Sequence, residues 1–275
     1  MTTRDMKTLG EDGARLLTSL SVAGKTVFTS EDAAQVLGDK VNARLLLSRL
    51  EKKRWLKRLE KGKYLILPFE AGMEGKYSEH PFIIASKLIT PYAVSYWSAL
   101  NHYGYTEQIP GTIYVSSTKR RTDMEIADLG LRFKFVRLTP SKFFGHHAVW
   151  IQERKINITD REKTIVDCLD HPEYCGGIVE ATKGLWYGCT QEEIDVAKLT
   201  EYVERMNNRS IFKRLGYLAE LLKLPVGEFL QTWKRNISSG YSLLDPVMPK
   251  AGRHNSRWNL RINVTHHDLT EWRTH

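Results

Sequence analysis

Arg44, Arg49, Asn42 and Ser48 are the residues of this chain best suited to reading a base sequence. An arginine can give two parallel hydrogen bonds to guanine. An asparagine can exchange two with adenine, and a serine hydroxyl suits either edge. Lys40 and Lys52 join them in the expected DNA-contact set. Leu45 falls on the same side, where a merely solvated face would carry a polar residue; an apolar side chain there can touch thymine methyls. Glu51 lies near that face and would repel phosphate, so it stays outside the contact set. Further along, Arg58, Lys61 and Lys63 form a second basic group, suited to backbone phosphates or a minor groove.

Charge concentrates in the same stretch. Residues 40–63 hold ten Lys and Arg against two carboxylates, Glu51 and Glu60, a local excess of eight in a chain whose net charge is +9. A uniformly basic protein would not distribute its charge this way. A solvated charged helix is the commonest source of a charge run, but this one coincides with the elements of a reader of DNA.

Those elements run from Thr29 to Leu67. Thr29 or Ser30 is placed as N-cap, with Glu31 and Asp32 in the first turn of a helix to Leu37. Gly38 permits the left-handed turn that stops it. Gly38-Asp39-Lys40 leads into a second helix, Val41 to about Lys53. Two helices joined by a short glycine-containing turn have helix-turn-helix spacing. In the second helix Ala43, Leu46, Leu47 and Leu50 make one apolar stripe, which leaves Arg44, Leu45, Ser48 and Lys52 opposite, flanked by Asn42 and Arg49. The period then changes to two. Trp55–Leu59 and Lys63–Leu67 read as strands around the turn Glu60-Lys61-Gly62. A helix at Glu11–Ala23 and a strand at Thr26–Phe28 precede them. The order is that of a winged-helix domain.

Pro68–Gly75 reads as a linker. Beyond it the pattern predicts helices at Pro81–Leu88 and Tyr92–Tyr103. Strands follow at Thr112–Ser117, Leu131–Leu138, His147–Ile151 and Lys155–Ile158. Thr159-Asp160-Arg161-Glu162 reads as a capping box that opens a helix to Asp170. Helices at Gly177–Tyr187, Asp195–Met206, Ser210–Lys223 and Gly227–Ile237 come next, then a strand at Arg257–Val264 and a polar, mobile tail. The expected fold class is α+β. Residues 1–70 form a winged helix-turn-helix domain, 76–265 a larger mixed α+β domain, and 266–275 the tail.

Three further constellations carry weaker chemistry. Cys168, His171, Cys175 and Cys189 approach zinc-ligand spacing, yet Cys168 shares an apolar face with Ile165, Val166 and Leu169, and core cysteines are common. Glu153 and Lys155, with Asp123, Glu125 or Asp128, could make the acidic and lysine parts of a metal-dependent nuclease, but Glu-x-Lys triplets are frequent by chance, and a solvent-facing hairpin turn with alternating charges is the preferred reading. His146, His147, His266, His267 and His275 lack partners at ligand spacing. Lys119, Arg120 and Arg121 read as a solvated basic loop. No metal, cofactor or catalytic residue is expected. Three cysteines do not make a disulfide framework. The N-terminus has no apolar signal core and no run approaches a membrane span, so the expected location is the cytoplasm.

The wording of the second half says more than its composition. YAVSYWSALNHYGYTEQIPGTIYVSSTKRR (Tyr92–Arg121), FFG (Phe143–Gly145), DREKTIVDCLDHPEYCGG (Asp160–Gly177), FKRLGYLAELL (Phe212–Leu222), LDP (Leu244–Pro246) and RWNLRINV (Arg257–Val264) resemble the AbiEi antitoxin family. These are bacterial regulators of type IV toxin–antitoxin and phage-defence operons. The resemblance implies an N-terminal winged helix that binds inverted repeats in duplex DNA upstream of its own operon and represses it. It also implies a C-terminal domain that counters a nucleotidyltransferase toxin, functionally and without a required stable complex. Direct capture of the toxin, or DNA cleavage by the acidic hairpin, are the alternatives.

Overall fold

The protein is described here by a computed structural model, in which residues 9–67 and 80–274 are placed. It is a mixed α+β protein. Its contacts divide it into residues 1–80 with 126–131, and residues 81–125 with 132–275. The expected linker, Pro68–Gly75, lies outside the described residues. Among the described residues, no helix is long and apolar enough to cross a membrane.

The first unit runs α1 (Glu11–Val22), β1 (Val27–Thr29), α2 (Ser30–Leu37), α3 (Lys40–Lys52), β2 (Leu56–Glu60) and β3 (Lys63–Ile66). The three strands form one antiparallel sheet in the order β1-β3-β2, with Val27 opposite Leu65 and Leu56 opposite Ile66. Leu16, Leu20, Phe28, Ala33, Ala43, Leu47, Leu50 and Trp55 make its core. The helix ends have local causes. The Thr29 hydroxyl accepts from the Asp32 amide, and the Asp32 carboxylate accepts from the Thr29 amide at 2.8 Å. That reciprocal pair satisfies two donors at the start of α2. Gly38, at φ 77°, ends α2, and the Asp39 carboxylate caps α3 by accepting from Val41 N at 2.8 Å.

Burial alone would raise the Asp32 carboxyl. Hydrogen bonds from Lys25 and Thr29 outweigh it and hold the group below its ordinary value. A depressed carboxyl contributes stability above its unfolded pKa and loses it as pH falls through the folded one. Thr29→Ala should cost about 1 kcal/mol in urea unfolding at pH 7. Between pH 7 and pH 3 the variant should lose less stability than the wild type. An identical acid profile in the two proteins would separate the carboxylate from the cap.

The rest of the chain runs α4 (Pro81–Leu88), β4 (Ala93–Val94), α5 (Tyr96–His102), β5 (Thr112–Ser117), β6 (Met124–Ile126), β7 (Leu131–Arg137), β8 (His146–Ile151) and β9 (Arg154–Thr159). Then come α6 (Arg161–Asp170), α7 (Ile178–Thr190), α8 (Val196–Met206), α9 (Ser210–Leu222), α10 (Phe229–Arg235), β10 (Ser242–Leu243), β11 (Arg253–Asn255), β12 (Leu260–Ile262) and α11 (His266–Thr270). Six strands form a mixed sheet in the order β6-β7-β5-β4-β9-β8, and three form a small sheet, β10-β12-β11. α6 is buried nearly all round, from Glu162 to Asp170, and belongs to the large core with α7, α8 and α9. Trp258 packs closely against α9 at Gly216, where an added Cβ would meet its ring carbons.

Several expected elements differ. The helix expected over Tyr92–Tyr103 is split. Ala93 and Val94 pair between β5 and β9, and Tyr96, at φ 52°, turns the chain into the shorter α5. Thr159 does not open a capping box; it ends β9, and Asp160 caps α6 by accepting from Lys163 N at 2.8 Å. Glu162 is drawn away to Lys198 Nζ at 2.8 Å and to Asp195 N at 3.0 Å. The last expected helix contracts to α10, and the strand expected over Arg257–Val264 contracts to β12, beside two strands that sequence pattern does not mark. The tail is folded rather than mobile. Thr265 and Asp268 form a capping box for α11, Leu269 is fully buried, and Trp272 packs on Trp186 with ring centroids 5.4 Å apart. His275 lies outside the described residues.

Candidate nucleic-acid interface

α3 separates its two faces cleanly. Ala43, Leu46, Leu47 and Leu50 are buried against α1, α2 and β2 of the first unit. Lys40, Asn42, Arg44, Leu45, Ser48, Arg49 and Lys52 are all exposed. The cause is the 3.6-residue period: with one stripe committed to the core, the remaining positions must face solvent. Arg49 donates through Nε to the Leu45 carbonyl at 3.4 Å. Lys53 and Arg54 follow at the helix end, Arg54 in the left-handed region at φ 56°.

The β2–β3 hairpin turns through Lys61 and Gly62, with Gly62 at φ 76° and a register shift between Arg58 and Glu60. Arg58 and Lys61 are exposed. Lys63 is placed differently: it is half-buried and pairs with Glu60 at 2.8 Å. The tip therefore offers Arg58 and Lys61 more freely than Lys63. Gly62 also accepts from Ser30 N at 2.8 Å, which ties the hairpin to the start of α2.

Sequence reasoning overlooked Val41. It is 65% exposed, beside Leu45 at 55%, one helical turn apart on α3. The four-residue spacing from Leu45 was the available signal.

The competing constellations do not assemble. Asp123 and Glu125 lie at the β6 end of the six-stranded sheet, and Glu153 and Lys155 in the β8–β9 hairpin at its other end. At about 4.8 Å per strand, four or five strand spacings keep them some 20 Å apart. Asp123 already bonds Lys134 Nζ and Phe135 N, both at 3.0 Å, Glu125 pairs with Arg132, and Lys155 lies over the Trp150 ring. Cys168, Cys175 and Cys189 are buried free thiols, and burial pushes Cys189 up to about 12. His171 turns instead to Glu173 at 2.9 Å. Among the described residues, only His267, Asp268 and Glu271 bring three ligand-type groups together, all exposed and engaged in capping or pairing along α11. Arg121, from the second basic cluster, points inward to the Leu88 carbonyl and over Phe135; Lys119 and Arg120 are exposed.

The fold so described is that of a mixed α+β protein whose first unit displays a cationic helix. Among solved structures it is similar to the crystal structure of the RV2827C protein from Mycobacterium tuberculosis, with a TM-score of 0.71 over 98% of this chain and 96% of that one. The two are 15% identical, so the likeness is one of fold alone. Comparison of the sequence with protein-family models and with curated proteins finds no match.

Proposed function

We propose that residues 9–67 form a winged helix that binds duplex DNA, with α3 in the major groove and the β2–β3 hairpin as the wing. The protein then acts as a sequence-specific transcriptional repressor, probing operators with inverted repeats near its own gene. The observation that carries this reading is the single exposed face of α3. It presents Lys40, Asn42, Arg44, Leu45, Ser48, Arg49 and Lys52 together, within the stretch that holds nearly all the net charge. Asn42, Arg44, Ser48 and Arg49 read bases; Lys40, Lys52, Arg58 and Lys61 hold phosphates, with Lys63 a lesser contributor.

The AbiEi-like motifs of the second unit support a further role, countering a nucleotidyltransferase toxin in the cytoplasm. No enzymatic step is assigned to this chain. The test is fluorescence anisotropy with labelled duplex across a salt series. Affinity should fall by two or more orders of magnitude between about 50 and about 200 mM salt, because each neutralised phosphate releases counterions. It should need no divalent metal, and Mg²⁺ or Mn²⁺ should produce no strand cleavage. A salt-independent affinity, or metal-dependent cutting, would overturn the assignment.

A further inference from the structure

Val41 and Leu45 are the only large apolar side chains of α3 left in water, at 65% and 55% exposure. Neither joins the core of the first unit. A single exposed valine or leucine needs no explanation. This pair is different in position. The two residues stand four apart on one helix, so their side chains are neighbours on its surface. They lie in its first two turns, the part of a recognition helix that meets base edges. Asn42, Arg44 and Arg49 surround them, so the strip sits inside the face that charge draws toward a polyanion.

Resting on the DNA-binding reading above, we infer that Val41 and Leu45 form a methyl-reading strip, which selects operator sequences by the 5-methyl groups of thymines in the major groove. The thymine methyl is the apolar feature that A·T pairs add to that groove. Four residues of helix span about 6 Å, close to two nucleotide steps of about 3.4 Å each. One α3 can therefore touch methyls on two nearby thymines while Arg44 and Arg49 reach polar edges. The strip contributes no charge, so it adds sequence preference without adding salt dependence.

The occupant follows from the surroundings. A protein partner docking on Val41 and Leu45 would have to bury or pair Lys40, Arg44, Arg49 and Lys52 with its own carboxylates. Duplex DNA meets those cations with phosphates and base acceptors and meets the apolar pair with methyls. Among the described residues of the first unit, the other large apolar side chain so exposed is Val22, at 85%, on α1.

The experiment uses the full chain. A preferred duplex is first selected from a randomised library. It is then remade with uracil in place of thymine, which removes the methyls and leaves every hydrogen-bonding group. Wild-type affinity should fall about fourfold for each methyl contacted, the factor carried by one buried methylene-sized group. The variant Val41→Ala with Leu45→Ala should bind the thymine and uracil duplexes equally, and bind the uracil duplex as the wild type does. Both changes are exposed, and thermal melting verifies the fold. If the wild type selects and binds a duplex but ignores the uracil exchange, the methyl strip is wrong while DNA binding stands. If the double variant still prefers thymine, the methyls are read elsewhere and the inference fails. Failure to select any duplex would instead remove the DNA-binding reading itself.

Discussion

Arg44→Glu combined with Arg49→Glu should weaken duplex binding by at least about a hundredfold at physiological salt. Each side chain stands on the exposed face of α3. Loss of one good base contact costs about 1–3 kcal/mol. Reversal adds repulsion from phosphates to the loss of two such contacts. The fold should be retained, because both residues are exposed and neither belongs to the buried stripe of Ala43, Leu46, Leu47 and Leu50, and surface changes away from the core usually stay within about 0.5 kcal/mol. The melting temperature of the variant should match the wild type, and its anisotropy titration should be nearly flat. If antitoxin action belongs to the second unit, this variant should fail to repress a promoter reporter yet still protect cells from a cognate toxin supplied separately. A stable variant that fails to protect would mean that protection acts through DNA.

The second large effect lies in the core. Lys163 and Asp167 are 1% and 0% exposed and pair with each other on α6. The lysine also lies 4.9 Å above the centre of the Phe144 ring. Burial raises the Asp167 carboxyl, and the lowering influence of Lys163 does not cancel that rise. Lys163→Met should therefore leave a buried carboxylate without its counter-charge, at a cost of about 3–5 kcal/mol. For a unit of this size that is a drop of roughly 10 °C in melting temperature. The double change Lys163→Met with Asp167→Leu should recover most of it, because an apolar pair of similar volume needs no desolvation of charge.

The pH dependence has a definite sign. With Lys163 gone, the folded carboxyl titrates above the unfolded one, so the folded state holds an extra proton between the two values. Lower pH then favours folding. The deficit of Lys163→Met relative to wild type should be smaller at pH 5 than at pH 8. A deficit that widens in acid, or a double variant no better than the single, would show that Lys163 acts through shape rather than charge.

How far sequence carries is different in the two units, for physical reasons. In the first, every cause is local. Thr29 and Asp32 sit three residues apart, Gly38 stops the helix it follows, and the α3 stripe is complete within eight residues. The expected bounds of α2 and α3 are met to within a residue. In the second, the errors follow from distant partners. Ala93 and Val94 lie in an aromatic stretch with helical wording, and become a strand only because residues 115–116 and 158 come to flank them. α11 reads as a polar tail because its apolar content is Leu269 and Trp272, and their seat, Trp186 and Tyr187, is far back in the chain. For the candidate site, periodicity was enough to choose the exposed face of α3. It could not show that Glu60 would hold Lys63, nor that sheet order would divide Asp123 from Glu153.

The position of β4 also sets an order of events during synthesis. The first unit closes its sheet with β3, which ends at Ile66. β4, at the centre of the large sheet, pairs with β5 on one side but must wait for Ile158 on the other. On a ribosome that strand arrives roughly ninety residues after β3, some 5–20 s at ordinary elongation rates. A nascent chain can thus carry a finished α3 face for several seconds before its second unit has a complete sheet. Where transcription and translation share a compartment, that face emerges close to the gene that encodes it.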